Sequence, residues 1–184
     1  MLTIHFSLFG ESDIPALLSC IQTPRDLRAW SGSVFSYPLT EEQIQRHLDE
    51  ISAAGSSSMA IKAVTADGRL VGYGELCKIR QGESAMIRRL LVRGGEFRRC
   101  GIGRGLVEHL LSLAFEEFNL HRVYLGVFDW NQPAIDLYTA CGFQPEGSWR
   151  EHVLMDGSFH TLNWMALLRP PTFPNPSARG CTGE

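Results

Sequence analysis

No stretch of this 184-residue chain approaches the roughly 18 consecutive apolar positions that a membrane-spanning helix requires. The start of the chain, Met1 to Phe9, alternates like a short strand and carries no charged segment leading into a long apolar one, so no secretory signal is read there. Membrane association is therefore not expected. The five cysteines, Cys20, Cys77, Cys100, Cys141 and Cys181, are scattered, odd in number and without a C-x-x-C pair. That pattern argues against a disulfide framework and against a zinc site, and it leads us to expect reduced thiols, a cytoplasmic setting and no metal. Excess charge of one sign is missing too: 17 Lys and Arg stand against 20 Asp and Glu, a formal net charge of −3. A global nucleic-acid footprint is thereby excluded, although Arg88 to Arg104 is locally basic. No internal repeat is visible, so a solenoid is not expected either.

What the chain does have is the composition of a soluble globular domain, 44% hydrophobic and 20% charged. Its length suffices to bury one full core. A single domain is expected over residues 1–169, followed by a Pro-rich, flexible tail over 170–184 without functional residues. Thr3 to Phe9 reads as a first strand, Ser12 to Ile21 and Asp26 to Trp30 as short helices broken at Pro24, and Ser31 to Leu39 as a structured loop. Thr40 caps the next helix, with Gln43 placed to complete a capping box. Met59 to Thr65 and Leu70 to Ile79 alternate around Asp67-Gly68, a strong hairpin signal, and Ala85 to Val92 continues the run of strands. Leu106, Val107, Leu110, Leu111, Ala114 and Phe118 mark one face of a helix. Arg122 to Phe128 is a further strand and Pro133 to Cys141 a short helix, before a last hairpin around Asp156-Gly157. The order β, helices, βββ, α, β, α, ββ is that of an α+β protein.

The stretch Arg98-Arg99-Cys100-Gly101-Ile102-Gly103-Arg104-Gly105 carries the most information. It follows the apolar Leu90-Leu91-Val92 and opens the long helix, an arrangement that directs backbone N–H groups and the positive helix end at a diphosphate. Glycine there removes the Cβ that would hold the backbone away from phosphate oxygens. A P-loop would need Lys-Ser/Thr directly after its last glycine, where this chain differs, and a dinucleotide fold would place its glycines early in a βαβ unit. Neither description fits.

The chain resembles the GCN5-related N-acetyltransferase (GNAT) superfamily over roughly Leu70 to Leu168. The family's Arg/Gln-x-x-Gly-x-Gly/Ala motif is matched by Arg98, Gly101 and Gly103. Its second block, Asn-x-x-Ala-x-x-Leu-Tyr-x-x-x-Gly-Phe, is matched by Asn131, Ala134, Leu137, Tyr138, Gly142 and Phe143. Each block alone is weak; both in order, with a strand between them, are specific. Within the superfamily, the loop from Trp30 to Thr40, the last hairpin and Leu167-Leu168-Arg169 look most like the branch of ribosomal-protein α-amino and polyamine acetyltransferases.

The resemblance implies a mixed, mostly antiparallel sheet of about seven strands, splayed at a cofactor cleft and flanked by about four helices. It implies acetyl-CoA as cosubstrate, with Leu90 and Val92 pairing with the pantetheine arm and the N–H groups of Arg99, Cys100, Gly101, Ile102, Gly103 and Arg104 on the pyrophosphate beside Arg98. Asn131 would cap its helix, with Pro133 in the first turn and Ala134 beside the cofactor. Tyr138, two helical turns on, would protonate the departing thiolate, and the Leu91 N–H would stabilise the oxyanion as a neutral amine attacks the thioester directly. Cys100 and Cys141 need not be nucleophiles.

Glu75 is the best candidate for a base or an amine-binding group; otherwise it is an exposed polar residue of an alternating strand. Family members often carry an acid on the cofactor strand, whereas this chain has Arg88 and Arg89, expected to alternate so that at most one faces the channel. That departure leaves water as a route for the proton. Trp30, Phe35 and Tyr37 lie where the family walls its acceptor site, and either touch substrate or pack the loop. The acceptor is expected to be a primary amine of a small molecule or a protein N-terminus; the oligomeric state stays open, a homodimer being one option because many family members pair through their last strands. An idle acyl-CoA-binding module is the alternative, disfavoured by the intact Tyr138 and glycines.

Overall fold

The computed structural model describes residues 3–155 and 157–169. Period-two alternation builds seven strands, β1 (Ile4–Leu8), β2 (Met59–Thr65), β3 (Leu70–Arg80), β4 (Ser84–Val92), β5 (Arg122–Phe128), β6 (Gln144–Met155) and β7 (Ser158–Leu168). They form one open sheet in the order β1-β2-β3-β4-β5-β7-β6. Every pairing is antiparallel except β4 with β5. Helices α1 (Ile14–Leu18), α2 (Pro24–Ser31) and α3 (Glu41–Ser52) cover one face, where Ile14, Leu17, Ile44, Leu48 and Tyr73 share a core. Helix α4 (Ile102–Ser112) packs Leu106 and Leu110 on the other face against Leu76, Ile87 and Leu125. Its apolar stripe runs on through a π turn, Leu113–Glu117, before α5 (Gln132–Ala140) follows β5.

The expected element order holds, and two local expectations change. Thr40 does cap α3, its hydroxyl accepting from the Gln43 N–H at 3.4 Å, but Gln43 does not turn back to close a box. Its side-chain amide instead accepts from Ser36 N–H at 2.9 Å and donates to the Pro38 carbonyl at 3.0 Å, pinning the preceding loop. A closed capping box occurs one helix earlier, between Thr23 and Asp26, and Pro24 opens α2 in its first turn, so it is not the break the sequence suggests. The Asp156 of the last turn and the expected tail at 170–184 lie outside the described residues.

Two features of the sheet create a cleft. Parallel pairing of β4 with β5 covers only Ser84–Met86 against Arg122–Tyr124, whereas β5 stays paired with β7 along its whole length. The strands therefore diverge beyond Met86 and leave one edge of β4 unpaired. A β-bulge then inserts one extra residue into β4 opposite Gly74, at Arg89, whose φ is 49°. The bulge also breaks the alternation expected of Arg88 and Arg89. Arg88 pairs in register with Glu75 and Arg89 forms an ion pair with the same residue, so both arginines lie on one face.

Candidate active site

The divergent strands bound a cavity of about 710 Å³, lined on one side by Leu90, Leu91, Val92 and Arg98 and on the other by Asn131, Ala134 and Tyr138. Local chemistry sets each wall. Gly101 caps α4 with φ 78°, a left-handed conformation that a side chain makes costly. The first helical bond runs from Gly105 N–H to Gly101 O at 2.9 Å, so the N–H groups of the preceding turn have no helical acceptor. Gly103 has a reason other than the one expected from phosphate approach. A Cβ there would meet Leu137 Cδ2 at 3.2 Å and Val92 Cγ2 at 3.3 Å, so this glycine lets α4 close on α5 and β4. Ile102 is buried in the core and Arg104 pairs with Glu108 at 2.7 Å, which leaves their backbone N–H groups as what they offer a ligand. Cys100 is exposed, its thiol donating toward the Glu96 carbonyl at 3.4 Å.

On the opposite wall the Asn131 side-chain oxygen accepts from Ala134 N–H, with Pro133 in the first turn of α5, as expected. Tyr138 lines the same cavity as Asn131 although only 7% exposed, and burial pushes its phenol well up, so it stays protonated. A diphosphate-bearing thioester fits this cavity. Its lining holds Arg93, Arg98 and an unpaired strand edge, and the orphan N–H groups of the turn at residues 99–104 follow directly on Arg98 without themselves lining the cavity.

The register decides which β4 groups face that edge. Arg93 N–H donates to the Val71 carbonyl at 2.9 Å, and Tyr73 opposes Leu91 two residues along. Alternation in an antiparallel ladder then turns the Leu91 N–H toward β3 and the backbone groups of Leu90 and Val92 toward the cleft. The expectation that Leu91 supplies the oxyanion donor is thereby corrected: its N–H points the wrong way, and Leu90 has the free one.

Glu75 is neither exposed nor a lining residue of the cleft. It is 0% exposed, accepts from the Tyr73 hydroxyl at 2.6 Å and from the Cys77 thiol at 3.3 Å, and lies 2.9 Å from Arg89 Nε. His47 Nε2 stands 3.1 Å from Glu75 Oε1 and 3.0 Å from Arg89 Nη2, so it donates to the one or accepts from the other. Burial alone would push Glu75 up, but the His47 hydrogen bond and the Arg89 charge outweigh it and hold the carboxyl below the usual range. Burial and the Glu75 charge push the Cys77 thiol up to about 12, so it is no nucleophile. Sequence reasoning missed His47, whose only signal is its place beside the apolar stripe of α3, and it noted Arg89 as a departure on the cofactor strand without pairing it to Glu75.

Residues 25–143 match the acetyltransferase (GNAT) family. The chain belongs to the GNAT family of N-acetyltransferases. A spermidine N(1)-acetyltransferase of Vibrio cholerae is 26% identical over 134 residues, covering 73% of this chain and 74% of that protein. An N-alpha-acetyltransferase of Sulfurisphaera tokodaii is 33% identical over 121 residues, covering 60% of this chain and 68% of that one. The fold is that of a Vibrio cholerae spermidine N-acetyltransferase solved with CoA and spermine, with a TM-score of 0.78 at 21% identity over 90% of this chain and 95% of the other. Among the described residues no helix is long and apolar enough to cross a membrane, and no group of three or more His, Cys, Asp or Glu is placed to hold a metal ion.

In this acetyltransferase a second cavity, of about 370 Å³, adjoins the first. Ala29 and Trp30 line both, and β4 passes from one to the other between Arg89 and Leu90. Trp30 is fixed as the partition: its indole N–H donates to the Arg89 carbonyl at 2.7 Å, and its ring stacks on Phe35 at 5.8 Å. Phe35 lies under the Arg89 guanidinium at 5.7 Å and edges His47, so it packs the cluster. Tyr37 lines neither cavity. Its hydroxyl ties the loop to the Gln22 carbonyl at 3.1 Å, so of its two expected roles it packs the loop and does not line the acceptor cavity. Trp149 and Trp164, in edge contact at 4.8 Å, form the far wall.

Proposed function

We propose that the protein transfers the acetyl group of acetyl-CoA to a primary amine, of a small molecule or a peptide or protein N-terminus, by direct attack through a tetrahedral intermediate. One observation carries the reading. A protonated tyrosine and the free edge of β4 share a cavity that meets a second cavity across Trp30. Acetyl-CoA supplies an activated carbonyl to this junction. Leu90 and Val92 bind the pantetheine amides as an added strand would, and the Leu90 N–H holds the developing oxyanion. Tyr138 gives its proton to the departing sulfur as the carbon–sulfur bond breaks and the carbon–nitrogen bond forms.

Glu75 is not the base in this scheme. A base works best with a pKa near the working pH, and Glu75 is held ionised and low, without a path to the amine. It positions Arg89, and through it the bulge and Trp30, while the ammonium proton leaves to water in the open second cavity. Tyr138→Phe should lower kcat by about 10²–10⁴-fold and leave the KM for acetyl-CoA unchanged, in a thiol-release assay over a panel of amines. An undiminished kcat would remove Tyr138 from the mechanism. Acetyl-CoA binding without thiol release for any amine would favour an idle acyl-CoA-binding module.

A further inference from the structure

The acceptor-side cavity has a one-sided polarity. Arg28, Lys78, Arg88 and Arg89 line it, and no Asp or Glu does. Among the described residues no carboxylate forms an ion pair with Lys78 or Arg88, while the Arg89 charge is met by buried Glu75. Unmet donors point the same way. Arg89 Nη1 and Trp164 Nε1, both on residues of this wall, are buried without a hydrogen-bond partner, and buried donors in a folded protein normally have one. Arg89 is itself only 8% exposed, so this is a built position and not a solvated surface charge. The remaining wall is apolar and aromatic, with Phe128, Leu162, Trp149 and Trp164.

Resting on the acetyl-transfer reading above, we propose that this cavity takes a small primary amine carrying an anionic group, a carboxylate or a phosphate, beside an apolar or ring-shaped body. Surplus donors and cations lack an acceptor, and such a ligand supplies one; a polyamine would bring more cations into a wall that has no carboxylate to receive them. The selectivity follows from both terms: attraction for the anionic amine and repulsion of the polycation. Arg88 is the main determinant, because it lies on the face of the bulge with no carboxylate partner among the described residues, and exposed Lys78 is a second.

Two measurements on the full chain test this separately from catalysis. In CoA-saturated protein, calorimetric titration compares N-acetylphenylalanine with N-acetylphenethylamine, its twin without the carboxylate. The acid should bind about tenfold tighter or more, and Arg88→Gln should erase that ratio. Lys78→Gln, at an exposed position that does not threaten folding, should reduce it. Turnover is then compared for phenylalanine against phenethylamine, glucosamine 6-phosphate against glucosamine, and spermidine. Preference for the carboxylate-bearing member of the first pair identifies a carboxylate, and for the phosphate-bearing member of the second pair a phosphate. If the twins without the anionic group, or spermidine, bind and react better, the anion site is refuted while acetyl transfer stands. If the acid binds selectively and no amine is acetylated, acetyl transfer falls and the anion site remains. Equal binding of the twins with no turnover refutes both.

Discussion

Glu75 and Arg89 place two charges 2.9 Å apart with 0% and 5% of their side chains exposed. Such a pair gains little over an apolar replacement, but losing one member leaves the other charge stranded out of water. Glu75→Gln keeps the shape and removes the charge facing Arg89 and His47, so it should destabilise the protein by about 3–5 kcal/mol, read from urea unfolding at pH 7. The pH dependence has a definite sign. Because the folded carboxyl lies below its ordinary value, its contribution is fully present above the unfolded glutamate pKa of about 4.3 and is lost as pH falls through the lower folded value. Unfolding free energy of the native chain should therefore decline between pH 5 and the acid limit, about, more steeply than that of the Gln variant. Parallel pH profiles would show that the cluster is not the ionised group described above. None of this was legible from the sequence. The sequence singles out Glu75 as a base or amine-binding candidate, or else an exposed residue of an alternating strand, but not as a buried partner of His47, which is 28 residues away on a helix.

At the scale of elements, what is encoded locally was legible and what depends on register was not. The Asp67-Gly68 hairpin, the apolar face of α4 and the Asn131 cap of α5 each follow from a few neighbouring residues, and each is present. The bulge at Arg89 is different: it exists because β4 gains one residue on β3 between Tyr73 and Glu75, a relation between strands. It brings Arg88 and Arg89 to one face and, with the ladder beyond it, gives the free N–H to Leu90 and not Leu91. The glycine turn lends itself to a controlled test. Gly101 and Gly82 both adopt left-handed φ, 78° and 74°, with open space where a Cβ would stand. Alanine at either should cost about 1–2 kcal/mol of stability in chemical denaturation. Only Gly101→Ala, at the start of α4, should also raise the KM for acetyl-CoA, since Gly82 lies in the β3–β4 turn. A matching rise in both variants would mean that the turn before α4 does not bind the cosubstrate.

Considered whole, the molecule is two walls joined by a short seam. Sheet β1–β4 with α1–α3 forms one wall, β5–β7 with α5 the other, and the strands between them pair over three residues, Ser84–Met86 against Arg122–Tyr124. Helix α4 spans the seam from one side, with Gly103 packed on both Val92 and Leu137. On the function proposed above, a cosubstrate in the cleft would touch the β4 edge, the start of α4 and α5 together, and would so tie the walls to each other and bind only the folded chain. Linkage then fixes the size of the effect: at a concentration of 100 Kd it adds about 2.7 kcal/mol. For a domain of this size each kcal/mol moves Tm by about 2–4 °C, so acetyl-CoA should raise Tm by about 5–11 °C. S-acetylpantetheine reaches the β4 edge but carries no diphosphate for the N–H groups ahead of Gly105, so at the same concentration it should raise Tm far less. An equal shift with both compounds would place the binding energy on the β4 edge alone and deprive the glycine turn of its role.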